Sequence, residues 1–252
     1  MTTNAIDRQQ LVIASDSRWS YIQNGYVIYV DDVDFDKIAW RASGAMICAG
    51  NGMLIEAWKD WFLSPMPSNH APATETVTPL GEPDSIMVTV FQAGTGDVLF
   101  SYGWYLPFDD VAYFAGTGAE YAHRCFAENR CAETSVRSAG LSDPRTGGET
   151  KLLNLVDGTN NLGTGLKRLN QIDFDFEKKG MAMNIETKNV ISFAEYAAGQ
   201  DQANVAKPNA ANLSAPTGQA MKPWTEDNKR RLVSVVRAMA ETENANGDKQ
   251  GE

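Results

Sequence analysis

Thr2 directly follows Met1, and that placement carries the first chemical possibility in the chain. Methionine ahead of a small residue is normally removed, which would leave Thr2 with a hydroxyl nucleophile and a free α-amine on one residue. Such an amine titrates near ~7.7–8.0, so at neutral pH part of it is free base and can take the hydroxyl proton. Other chemistries are poorly supplied. The two histidines, His70 and His123, are too few and too isolated for most hydrolytic or zinc chemistry. His70 lies in the Pro- and Ser-rich stretch 64–83 and reads as loop, and His123 reads as a helix surface or packing residue. Cys48, Cys125 and Cys131 form an odd set without metal-type spacing and fit a reducing compartment. Neither a cofactor nor a metal ion is implied.

A nucleophile at residue 2 needs elements that hold it. Residues 3–6 and 11–14 read as a strand hairpin turning through Asp7-Arg8-Gln9-Gln10. Residues 26–30 and 37–40 are further strands, separated by the acidic Asp31-Asp32-Val33-Asp34, and 44–48 is an apolar strand ending at Ala49-Gly50-Asn51-Gly52. Residues 53–63 place Leu54, Ala57, Trp58, Trp61 and Phe62 on one helical face, suited to a core or to a contact between subunits. Residues 87–91 and 98–102 flank a hairpin turn at 93–97. A strand at 111–115 runs into Gly116-Thr117-Gly118, with helices expected at 119–127 and 132–139. Later, 152–156, 171–176 and 181–185 read as edge strands. Residues 201–223, rich in Ala, Asn and Pro, read as a linker, and 224–241 as an amphipathic helix capped by Thr225. The polar tail 242–252 reads as disordered. Strands, then paired helices, then strands predict a layered α+β domain.

The bulk numbers narrow the function classes. The chain has 252 residues, 43% of them hydrophobic, enough for one large domain with a substantial core. A net charge of −10 offers no basic footprint for nucleic acid or an anionic membrane surface. No basic segment followed by an apolar stretch opens the chain, and no apolar run approaches ~18 residues. A soluble, cytoplasmic protein is expected.

Four segments then align with one family. They are Thr2; Ala14-Ser15-Asp16-Ser17-Arg18; Phe35-Asp36-Lys37-Ile38; and Ala49-Gly50. A longer match runs from Asp109 through Ala115-Gly116-Thr117-Gly118 to Ala122, and Asp143-Pro144-Arg145-Thr146-Gly147 follows as a turn. In order and spacing these resemble the β-type subunits of the proteasome and the related bacterial heat-shock protease ring, over roughly residues 2–150. The resemblance implies a four-layer αββα sandwich of the N-terminal nucleophile hydrolase type, with the domain extending over 2–200. It implies a threonine-type endopeptidase acting on polypeptide inside a self-assembled homo-oligomeric ring, with an ATP-driven unfoldase as a candidate partner.

Residue by residue, it casts Thr2 as nucleophile, Lys37 as the cation that lowers the hydroxyl pKa, and Asp16 as the carboxylate that a buried ammonium requires. Gly50 would supply the oxyanion amide. Thr117, Asp143 and Thr146 would hold the α-amine and its water, and Ser20, Cys48 and Gly50 would bind substrate. Each has a plainer alternative: Asp16–Lys37 as an ion pair between strands, Gly50 as a tight turn, Thr117 as a helix cap, Asp143 as a turn residue, Cys48 as core. The chain departs from the family in a first hairpin about two residues shorter, which preserves strand alternation. It also has a longer path from Asp16 to Lys37 and about a hundred residues after Gly148. A catalytically silent ring subunit and a small-molecule amide hydrolase of the same fold are the competing expectations.

Overall fold

Short apolar runs broken by Asp, Asn and Gly give fifteen strands among the described residues, with six α-helices. The computed structural model describes residues 2–103, 105–165, 167–199, 210–218 and 223–248. The chain opens with β1 (Thr3–Asp7) and β2 (Val12–Asp16), whose turn is fixed by Asp7 Oδ1 accepting from the amides of Gln9 and Gln10 at 2.9 Å. Next come β3 (Trp19–Gln23), β4 (Tyr26–Val30), β5 (Ile38–Arg41), β6 (Gly44–Asn51) and helix α1 (Gly52–Leu63). Four strands follow, β7 (Glu75–Val77), β8 (Pro83–Gln92), β9 (Val98–Tyr102) and β10 (Leu106–Phe108), then β11 (Ala112–Gly116). Helices α2 (Ala119–Asn129) and α3 (Ala132–Ala139) precede β12 (Thr150–Asn154). The last elements are α4 (Ile172–Lys179), β13 (Met181–Asn184), β14 (Val190–Ser192), α5 (Phe193–Ala198), β15 (Ser214–Ala215) and α6 (Glu226–Asp248).

The strands form two antiparallel sheets. One has five strands in the order β10-β11-β1-β2-β12. The other has ten, running β14-β13-β4-β3-β15-β6-β8-β7, with β5 added on β6 and β9 on β8. This corrects the expected four-layer αββα sandwich. The fold is mixed but strand-rich, built on two large antiparallel sheets of unequal size. The expectation extrapolated from residues 2–150, and the chain beyond them contributes four more strands: β12 to the smaller sheet, and β13, β14 and β15 to the larger.

Packing follows side-chain size. Ala5 and Ala14 on β1 and β2 present a small-residue surface, and Ala119, Ala122, Phe126, Val136 and Ala139 of α2 and α3 close onto it with Phe114. Helix α1 starts where Asn51 Oδ1 accepts from Met53 N at 2.9 Å. Its Trp58 and Phe62 are fully buried and Trp61 nearly so, hence the aromatic face belongs to the chain's own core. That core also takes Leu232, Val236 and Met239 of α6.

The later region departs from the sequence reading. Residues 172–176, read with Gln171 as a strand, lie in α4. Of the expected linker 201–223, residues 210–218 and 223 are described and the rest lie outside the described residues; the described part contains a 3-10 turn (Ala210–Asn212) and β15, and β15 lies within the larger sheet. Helix α6 continues into the expected tail, where Glu243 pairs with Arg41 at 2.7 Å and accepts from Ser43 N and Oγ at 2.6 Å. Among the described residues, no helix is long and apolar enough to cross a membrane.

Candidate functional site

Asp16, the last residue of β2, is the hub. Its Oδ1 accepts from Thr2 Oγ1 at 2.5 Å, from Thr3 N at 2.9 Å and from Lys37 Nζ at 2.8 Å. Its Oδ2 accepts from the amides of Arg18 and Gly147, both at 3.2 Å. Lys37 Nζ also donates to the Asp16 carbonyl at 2.7 Å. Thr2, Asp16 and Lys37 are all buried. Burial pushes the Lys37 ammonium below its ordinary range, and the adjacent Asp16 charge and hydrogen bond push it back up. The result is a buried hydroxyl and a buried ammonium meeting on one oxygen of a buried carboxylate. Electrostatic interactions in such a setting are stronger than in water.

A second cluster lies beside the first. Thr117 Oγ1 and Thr146 Oγ1 both donate to Asp143 Oδ2, at 2.9 and 2.7 Å. The Thr146 proton is thereby committed, so Thr3 Oγ1 is the donor in its 2.7 Å contact with Thr146 Oγ1. Successive residues of extended backbone face opposite ways. Thr2 therefore reaches Asp16 while Thr3 reaches the hydroxyl cluster. The turn after Asp143 ties the two groups together: Gly147 donates to Asp16, and its carbonyl accepts from Ser17 N and Arg18 N at 3.1 Å.

Two glycines are demanded by geometry. Gly116 has φ +87°, and a Cβ there would lie 2.0 Å from the Thr2 carbonyl oxygen. Gly50 has φ +125°, and a Cβ there would lie 2.0 Å from the Ser85 carbonyl oxygen. Gly50 thus has a backbone reason to be glycine, whatever its amide does. Cys48, two residues earlier on β6, is fully buried and its thiol is pushed up to about 12 by burial. It is a protonated, inert residue of the hydrophobic core. Its amide donates to the Lys37 carbonyl at 2.9 Å and its carbonyl accepts from Asn4 Nδ2 at 3.2 Å, so β6 is pinned to the strands carrying the charged cluster.

The structure therefore joins Thr2, Asp16 and Lys37 directly, and Thr117, Asp143 and Thr146 directly. Ser20 and Gly50 sit on β3 and β6, and β15 brings those two strands together. Sequence reasoning missed Thr3, Gly147 and Arg18. Thr3 was signalled only by alternation next to Thr2. Arg18 grips Asp31 through two bonds of 2.8 Å, donates to the Pro144 carbonyl at 2.6 Å and stacks on Tyr29 with 3.7 Å to the ring centre. It fastens the end of β2 to the 143–147 turn, and its proximity to Asp16 and the Asp31-Asp32 pair was the available clue. No protein-family model matches the chain, and no curated protein matches it.

Proposed function

We propose that the chain is a threonine peptidase, an amide-bond hydrolase whose nucleophile is Thr2 once Met1 has been removed. The observation that supports it is the buried Thr2–Asp16–Lys37 network. A buried ammonium and carboxylate bring little net stability for their desolvation, and here both converge on a hydroxyl at the start of the chain. Thr2 Oγ attacks the substrate carbonyl carbon once its hydroxyl, which donates to Asp16 in the resting site, turns its proton to the Thr2 α-amine, directly or through one water. Lys37 stabilises the negative charge developing on Oγ. The Gly50 amide receives the tetrahedral oxyanion, where one such donor contributes about 3 kcal/mol to lowering the barrier. Collapse releases the leaving amine, which takes the proton, and leaves an ester on Oγ that water then hydrolyses. Asp143, with Thr117, Thr146 and Thr3, orients the amine. The family resemblance adds polypeptide as the substrate and a ring as the assembly.

The test is intact mass after incubation with a peptide epoxyketone, which closes a ring onto both the hydroxyl and the amine of a terminal threonine. The expected product lacks Met1 and carries one inhibitor, while Thr2→Ala carries none. A folded chain that keeps Met1 and takes up no inhibitor would instead fit a catalytically silent subunit.

A further inference from the structure

The larger sheet is continuous across its middle because two residues bridge it. In the strand order β3 and β6 are not neighbours; β15 stands between them. Ser214 is register partner to Ser20 on β3 and to Asn51 on β6, and Ala215 to Gly50. The flanking residues extend this seat. The Leu213 carbonyl accepts from Gly52 N, the first residue of α1, at 2.9 Å. The side chains of Leu213 and Ala215 are fully buried. Gly218, with φ +82°, passes so close to the end of β11 that a Cβ on it would lie 2.9 Å from the Gly116 carbonyl carbon and 3.1 Å from Thr117 Cα. Gly116 in turn abuts the Thr2 carbonyl.

Residues 213–218 therefore run from the glycine proposed to bind the oxyanion to the strand end that touches the proposed nucleophile. A gap between two strand edges, with unpaired amides and carbonyls on both sides, is a receptor for an extended peptide. Main-chain pairing supplies the affinity there, and side-chain seats supply the selectivity. We infer that residues 213–218 are an internal occupant of such a peptide site: the chain lies in its own cleft as a pseudosubstrate, and substrate must displace it.

The functional consequence rests on the reading of Thr2 as nucleophile, whereas the occupancy rests on strand pairing alone. In this state Thr2 and Ser20 have no exposed surface. The displacing ligand is an extended polypeptide with an apolar side chain for the Leu213 seat and a small one for the Ala215 seat. A two-residue strand is a short anchor, so exchange with a competing strand is feasible.

Two full-length variants test this. L213D/A215D places carboxylates in apolar seats and should expel the segment. S20C/S214C places cysteines at register partners, whose Cα separation in antiparallel pairs, about 4.5–5.5 Å, permits a disulfide that locks the segment in place. The probe is a fluorescein-labelled peptide of the segment's own sequence, Leu-Ser-Ala-Pro-Thr-Gly, followed by anisotropy, with epoxyketone adduct formation measured in parallel. Folded L213D/A215D should bind the peptide at least tenfold more tightly than the wild type, and the oxidised lock should bind less than its reduced form.

Equal binding by folded L213D/A215D and the wild type overturns the inference. Should that variant not fold, equal binding by the oxidised and reduced lock overturns it instead. Peptide binding without any adduct would keep the occupancy and discard Thr2 as nucleophile. Adduct formation at one rate in wild type, lock and expelled variant would keep the nucleophile and discard the occupancy.

Discussion

Lys37 and Lys59 are both buried, 1% and 8% exposed, yet their surroundings differ. Lys37 Nζ meets a carboxylate oxygen that also accepts from the Thr2 hydroxyl. Lys59, on α1, donates to the neutral carbonyl of Asp36 at 2.6 Å and lies over the Phe35 ring, 4.7 Å from its centre. Burial lowers both pKa values. At Lys37 a direct carboxylate hydrogen bond opposes the shift, while at Lys59 Asp36 opposes it by charge alone. On the proposed reading, the difference separates a charge positioned for chemistry from a charge tolerated by the fold. Burial alone would not have distinguished them.

The comparison can be broken most easily at Lys37. In K37M the Asp16 carboxylate stays buried without its cation, so urea melts should show a loss of about 3–5 kcal/mol. Epoxyketone adduct formation should fall by at least about a thousandfold, the combined effect of losing an activating cation and an electrostatic stabiliser. K37M with near-wild-type labelling would reduce Lys37 to the same standing as Lys59. T146V probes the neighbouring hydroxyl cluster, removing a donor to Asp143 and the acceptor for Thr3. We expect about 1–3 kcal/mol of lost stability, because the partners stay buried. Labelling should drop about 10–100-fold, with T146S recovering most of it.

K59M sharpens the other side of the comparison. Replacing a poorly paired ammonium with an apolar side chain of similar length should be neutral or stabilising by up to about 2 kcal/mol, with labelling within a few-fold of wild type. The smallest effect is its pH dependence. The folded-state pKa of Lys59 lies below the ordinary lysine value of 10.5. The cost of keeping it charged is therefore full at neutral pH and is relieved as pH rises through the folded value toward 10.5, since the unfolded chain then binds more protons. The wild type should close on K59M in urea melts between pH 7 and pH 10. A gap that widens over that range would refute the assignment.

How much of this was legible depended on whether local pattern or distant partners decided the structure. The β1–β2 hairpin, α3 and the strand into Gly116 follow from apolar runs and turn residues close in sequence. So do the ends that place Thr2, Asp16 and Lys37. Helix α4 misleads because Ile172, Phe174 and Phe176 alternate like a strand. The helix buries Ile172 and Phe176, four residues apart, and leaves Phe174 61% exposed. β15 had no readable signal. Ser214 and Ala215 sit in a stretch without period, and their conformation is set by the two strand edges they meet. Glu243 looked like one more charge in a polar tail, and its partners Arg41 and Ser43 lie about two hundred residues earlier.

The burial of Thr2 also sets an order of events. An aminopeptidase needs the first peptide bond in an accessible, extended chain, but in the folded protein Thr2 has no exposed surface and its hydroxyl is tied to Asp16. On the proposed reading of Thr2 as nucleophile, excision of Met1 would have to precede closure of the fold. On that reading, a molecule that folded with its methionine in place would lack the free α-amine and would be inactive. The active fraction of a preparation would thus record how quickly the nascent chain was processed, and a purified inactive molecule would need its closed site opened before it could be rescued.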